Sequence, residues 1–183
     1  VAAVYLGITM LFFIWAFFQS FFYAVDALYG DRRDRSVLFW KSLPVSDQET
    51  VLSKLATASL ALPVLIFAGA LITSVLVALI ASVRLSWEAG AQIWPLVWNA
   101  SVWFPAMALL LYMLVVGVLW YLPIFAWLLL VSASAGRAVM LWAALPPLGL
   151  MFLEKLVFGT SYFAQLLAYR LGGWTDLAMN TSS

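Results

Sequence analysis

DRRDRSVLFWKSLPVSD, Asp31–Asp47, is the stretch whose reading decides the fold, because of what lies on either side of it. Before it, Val1–Val25 carries no charge; after it, Leu55–Val83 is a further run of 29 residues without one. Between the two runs, Asp26–Lys54 holds 10 of the chain's 17 Asp, Glu, Lys and Arg residues in 29 positions, five acidic and five basic. At about 1.5 Å per helical residue, each apolar run is long enough to cross a hydrocarbon core of about 30 Å. A charged connection between two such runs is the pattern of a polytopic membrane protein.

Composition agrees. The chain is 66% hydrophobic and 9% charged, with a mean hydropathy of +1.05, whereas roughly a quarter of a soluble domain's residues are charged. A net charge of +1 supplies no field for nucleic acid, and the basic residues form one cluster rather than a stripe. Nucleic acid is excluded as a partner. The chain has no Cys and no His, which removes disulfides, thiolate nucleophiles, Cys or His zinc sites and His proton relays. No metal site is expected.

Span a is therefore 1–25, whose aromatic residues, among them Tyr5, Trp15, Tyr23 and the phenylalanines at 12, 13, 17, 18, 21 and 22, surround the helix on all sides. This run is already apolar at Val1, and we expect an internal piece of a longer protein. The connection 26–54 follows. Leu43-Pro44-Val45 breaks any helix, and Ser46-Asp47-Gln48-Glu49 has the spacing of a capping box that starts a new helix at Asp47. Span b, 55–83, contains Pro63 and small residues at 69 and 73, 70 and 74, and 78 and 82, positions where a neighbouring helix can come close. Chance scatter of small residues is the alternative.

Trp87, Trp94, Trp98 and Trp103 crowd the segment 84–103 and read as an outer interfacial belt, with a ligand platform as the sharper alternative. No charge occurs from Ala89 to Gly136, and we place one span, c, at about 104–131 with a kink near Pro123. Span d, 138–158, contains Pro146-Pro147; we expect a broken helix leading into an interfacial segment, 159–173. Glu154-Lys155 is a charged pair either at membrane depth, where it would be functional, or at the outer interface. The fold class is thus all-α: a transmembrane helix bundle forming a single domain.

Five of the Lys and Arg residues, Arg32, Arg33, Arg35, Lys41 and Lys54, lie in 26–54, against Arg84 alone in the next connection, so 26–54 is expected to be cytoplasmic. A topological signal needs only the positive charges, and the five acids imply a second task. Asp31 and Arg35 are spaced to pair one helical turn apart. Val37-Leu38-Phe39-Trp40 must meet headgroups or another protein. An amphipathic hairpin on the inner leaflet and a docking element for a cytosolic partner both satisfy this.

LYGDRRDRSVLFWKSLPVSDQETVLSK resembles the cytoplasmic connection of bacterial ABC transporter permeases of the type-2 exporter family, in which an acid- and base-rich stretch leads to an SLPVS element and the next span. WLLLVSASAGRA and LPPLGLMFLEKLVFGTSYFAQLL are similar to later spans of the same permeases. The resemblance implies a multi-pass subunit of the bacterial inner membrane, with four spans visible of six. Asp31, Arg32, Arg33, Asp34 and Arg35 would then dock on a cytosolic ABC ATPase subunit, with Leu43, Pro44, Val45 and Ser46 forming the turn. A second permease subunit and membrane lipid would be the other partners. The chain contains no GxxxxGK[ST] loop, so it would bind no cofactor itself, and ATP and Mg would sit on the ATPase. It would not be an enzyme. A membrane anchor with a docking hairpin and a membrane-embedded enzyme are the competing readings.

Overall fold

The computed structural model describes residues 2–42, 45–90 and 92–180, and all regular structure among them is helical. In order the helices are α1 (Ala2–Arg33), α2 (Ser36–Lys41), α3 (Asp47–Ala56), α4 (Leu62–Ala89), α5 (Ile93–Val97), α6 (Ala100–Ser134), α7 (Val139–Phe158) and α8 (Tyr162–Asn180), with a π-helical turn at Thr57–Ala61. Among the described residues four stretches are long and apolar enough to cross a membrane: Met10–Arg33, Asp47–Trp87, Trp103–Ser134 and Val139–Phe158. They fall on the four spans expected, and most of the large hydrophobic side chains along them are exposed. With lipid as solvent such a surface is at rest.

The second stretch shows how local sequence sets its geometry. Ser46 caps α3: its Oγ accepts from the Glu49 N–H at 3.2 Å, and its own N–H donates to Glu49 Oε2 at 2.9 Å. The capping box expected from the spacing is present. Pro63 cannot donate to the Ser59 carbonyl, and immediately before it the ladder widens into the π turn, where the Leu62 N–H donates to Thr57 O. Helix continues across Pro63 because the mismatch is absorbed there.

The chain packs as two compact units. The first comprises residues 1–24 and 46–125. Its α4 buries Ala70, Ser74, Ala78 and Ser82, all at most 1% exposed, so the small residues at i, i+4 spacing are one buried face rather than scatter. Two glycines permit close approach: a Cβ on Gly117 would lie 3.0 Å from the Phe13 ring, and one on Gly69 would lie 3.4 Å from the Phe12 ring. Phe17 adds a ring contact with Tyr121 at 4.8 Å between centroids.

The second unit comprises residues 25–45 and 126–183. Here one expectation fails: α7 is a continuous helix through Pro146 and Pro147, not a broken span. Pro147 removes the donor that the Ala143 carbonyl would have used, and the Trp127 indole N–H fills the place at 3.2 Å. A side chain from another helix repairs the ladder. The chain reverses after α7 instead, at Gly159, whose φ of +65° is the left-handed conformation that ends a helix.

Candidate functional site

The charged connection divides at Arg32. α1 carries the first part of the cluster to its end at Arg33, and the Arg32 guanidinium donates from Nη2 to the carbonyl oxygens of Ser132 at 2.6 Å and Ala135 at 2.8 Å. These are acceptors at the C-terminal end of α6, where carbonyls lack helical partners and the helix dipole favours a cation. One turn back, Ser132 Oγ accepts from the backbone N–H groups of Leu28 at 3.1 Å and Tyr29 at 2.9 Å. Ser132 is fully buried. Arg32 and Ser132 thus lock the end of α1 to the end of α6, a clasp that needs residues about 100 positions apart and that no local pattern reveals.

The neighbouring charges do something else. Arg33 pairs with Asp34 at 3.1 Å with both side chains largely exposed, a pair of little energetic weight, and lies 5.8 Å from the Tyr29 ring centroid. Arg35 has a φ of +58° and follows the end of α1, so Asp31 and Arg35 do not stand one helical turn apart as the spacing suggested. The reason is a helix stop: the chain turns at residues 34–35, and Ser36 Oγ donates back to the Asp31 carbonyl. Then α2 presents Leu38 at 71% and Phe39 at 63% exposure, flanked by exposed Arg33, Asp34 and Arg35. Val45 and Ser46 are exposed at the start of the run into α3, and Leu43 and Pro44 lie outside the described residues.

The four Trp of segment 84–103 separate into two pairs. Trp98 and Trp103 stack with centroids 5.3 Å apart and planes 4° from parallel. The Trp98 indole N–H donates to Ser82 Oγ at 3.0 Å and that of Trp103 to the Val97 carbonyl at 3.0 Å. They staple α5 across the α4–α6 connection, together with buried Ala78 and Val97. Trp87 at 90% and Trp94 at 42% exposure remain at the surface.

Glu154 is not engaged with Lys155. Its Oε1 accepts from Thr160 Oγ1 at 2.8 Å and the Tyr162 N–H at 2.7 Å, and its Oε2 accepts from the Phe163 N–H at 2.9 Å. The carboxylate caps the first turn of α8 from the helix before it. Lys155 contributes its carbonyl to the Gly159 turn at 3.2 Å. Among the described residues no cluster of three or more Asp, Glu, His or Cys is placed to hold a metal. In comparisons with known proteins, no family model, curated protein or solved structure matches this chain.

Proposed function

We propose that the chain is the membrane-spanning permease subunit of an ATP-driven exporter, acting with a separate cytosolic ATPase subunit and a second permease subunit in a bacterial inner membrane. The observation that carries this reading is α2: a six-residue helix on the charged connection, with Leu38 and Phe39 exposed among Arg33, Asp34 and Arg35. An apolar pair ringed by charge suits a polar, water-exposed protein surface, with the two side chains as anchors and the charges setting register. Coupling then follows from mechanics. Arg32 ties the start of this segment to the end of α6, so a partner that displaces α2 pulls on two spans through backbone and charged hydrogen bonds. Alternating exposure of a path between two permease halves is the expected consequence.

The test keeps Arg32 intact, since it holds the fold. The full-length protein is purified in mild detergent from its native membrane, as wild type and with Leu38→Ser, Phe39→Ser and Arg33, Asp34 and Arg35 changed to Ala. A P-loop ATPase that accompanies the wild type and is lost or uncoupled in the variant, at unchanged melting temperature, supports the permease reading. Absence of any ATPase from the wild-type preparation overturns it in favour of a membrane anchor that docks another protein.

A further inference from the structure

Inside the first unit α1, α4 and α6 line a half-open pocket with a cavity of about 60 Å³. Phe13, Phe17, Phe67, Met113 and Tyr121 are among its walls, and every lining side chain except those of Ser20 and Tyr121 is hydrocarbon, aromatic or thioether. No charged residue lines it.

Ser20 sets this pocket apart from a packing gap. It is fully buried, and its Oγ has no hydrogen-bond partner. Three other buried serines are satisfied: Ser59 donates to the Leu55 carbonyl, Ser82 donates to the Ala78 carbonyl and accepts from Trp98, and Ser132 accepts two backbone N–H groups. A helical Ser ordinarily bonds back to the carbonyl one turn earlier, and Ser20 does not. An unpaired buried hydroxyl is unfavourable unless something supplies a partner. Water is a poor candidate, since it needs two to four polar partners and the lining offers little beyond Ser20. The occupant must bring its own apolar body.

We infer that this pocket binds a neutral, lipid-like amphiphile whose single hydroxyl or carbonyl group hydrogen-bonds Ser20 Oγ while its chain or ring body lies among the aromatic walls. The absence of charge on the lining rejects ions and ionised headgroups at the buried end, because nothing there compensates their desolvation. Binding of this kind is independent of the permease reading and is measured without an ATPase.

The whole chain is placed in phosphatidylcholine nanodiscs and photolabelled in three arms: a long-chain fatty alcohol with a mid-chain diazirine, the matching alkane, and phosphatidylcholine with the same diazirine in an acyl chain. Labelled peptides are mapped by mass spectrometry. The alcohol labels the lining of α1, α4 and α6 about fivefold more than the alkane, as one net hydrogen bond provides, and Ser20→Ala removes that excess. Phospholipid labelling that falls in parallel in Ser20→Ala assigns the group at Ser20 to a bilayer lipid's ester carbonyl; phospholipid labelling that does not fall assigns it to a free amphiphile. Equal labelling by alcohol and alkane, no label on the lining, or alcohol labelling indifferent to Ser20→Ala overturns the inference. So does a marked fall in the melting temperature of Ser20→Ala, since that would reveal a structural partner for the hydroxyl.

Discussion

Arg32 and α2 sit within ten residues of each other, and the chain uses them in opposite ways. Arg32 spends its charge on carbonyls of its own fold, at Ser132 and Ala135. Leu38 and Phe39, on α2, turn apolar surface outward. One charged segment therefore contains an internal clasp and an exposed apolar pair, and residue type does not separate the two parts: Arg33, next to Arg32, belongs to the exposed part. What separates them is whether an unsatisfied backbone acceptor lies within reach.

The largest effect expected from breaking this contrast comes from Arg32→Ala. It removes two charge-assisted hydrogen bonds from a partly solvated site, and chemical unfolding in detergent should show a loss of about 1–2 kcal/mol. Arg33→Ala should leave the unfolding midpoint unchanged, because its pair with Asp34 is exposed on both sides. Equal losses for the two variants would dissolve the distinction.

The same logic extends to the prolines of α7. Trp127→Phe leaves the Ala143 carbonyl unpaired and should cost about 1 kcal/mol. Pro147→Ala in the same protein restores a backbone donor and should recover most of that loss, so a double-mutant cycle with no coupling would show that the indole is not repairing the ladder. Trp98→Phe keeps the ring over Trp103 but gives up the bond to Ser82, with an expected cost of about 0.5–1 kcal/mol by the same measurement.

The smallest effect is one of pH. The stretch Asp47–Trp87 has 41 residues and would reach about 60 Å as a helix, twice a hydrocarbon core, so its charged first turns extend beyond the length such a core could cover. There the Ser46 backbone N–H, assisted by the Ser46 hydroxyl, holds the Glu49 carboxyl below its ordinary value. A lowered folded-state value means that the capping contribution is present above the ordinary carboxylate range and fades as pH falls through the folded value. Hydrogen exchange at Glu49 and Thr50 should therefore quicken locally in acid beyond its intrinsic trend, and Glu49→Gln should flatten the change. An unchanged acid response in Glu49→Gln would remove the capping box as its source.

Much of this architecture is local and was legible for that reason. Apolar run lengths located the four membrane-length helices, and Ser46-xx-Glu49 marked the start of α3, because capping and helical hydrogen bonding involve residues at most four apart. Proline was misread at Pro146-Pro147, where the rule that it breaks a helix holds only if no other group takes the freed carbonyl. Trp127 takes it from an adjacent helix. The four Trp of segment 84–103 look alike in sequence, yet two are structural pins and two are surface residues, and only the positions of Ser82 and the Val97 carbonyl separate them.

By itself the sequence determined a helical chain built to cross a membrane, the number of its apolar helices and the concentration of its charge on one connection, since hydrophobic length and charge count are sums over neighbours. Tertiary structure alone decided that Arg32 closes onto α6, that Glu154 caps α8 and that Ser20 is left without a partner in an apolar pocket. Each of those depends on which donors and acceptors remain unpaired once the helices have packed, and that remainder is a property of the packed chain rather than of any segment within it.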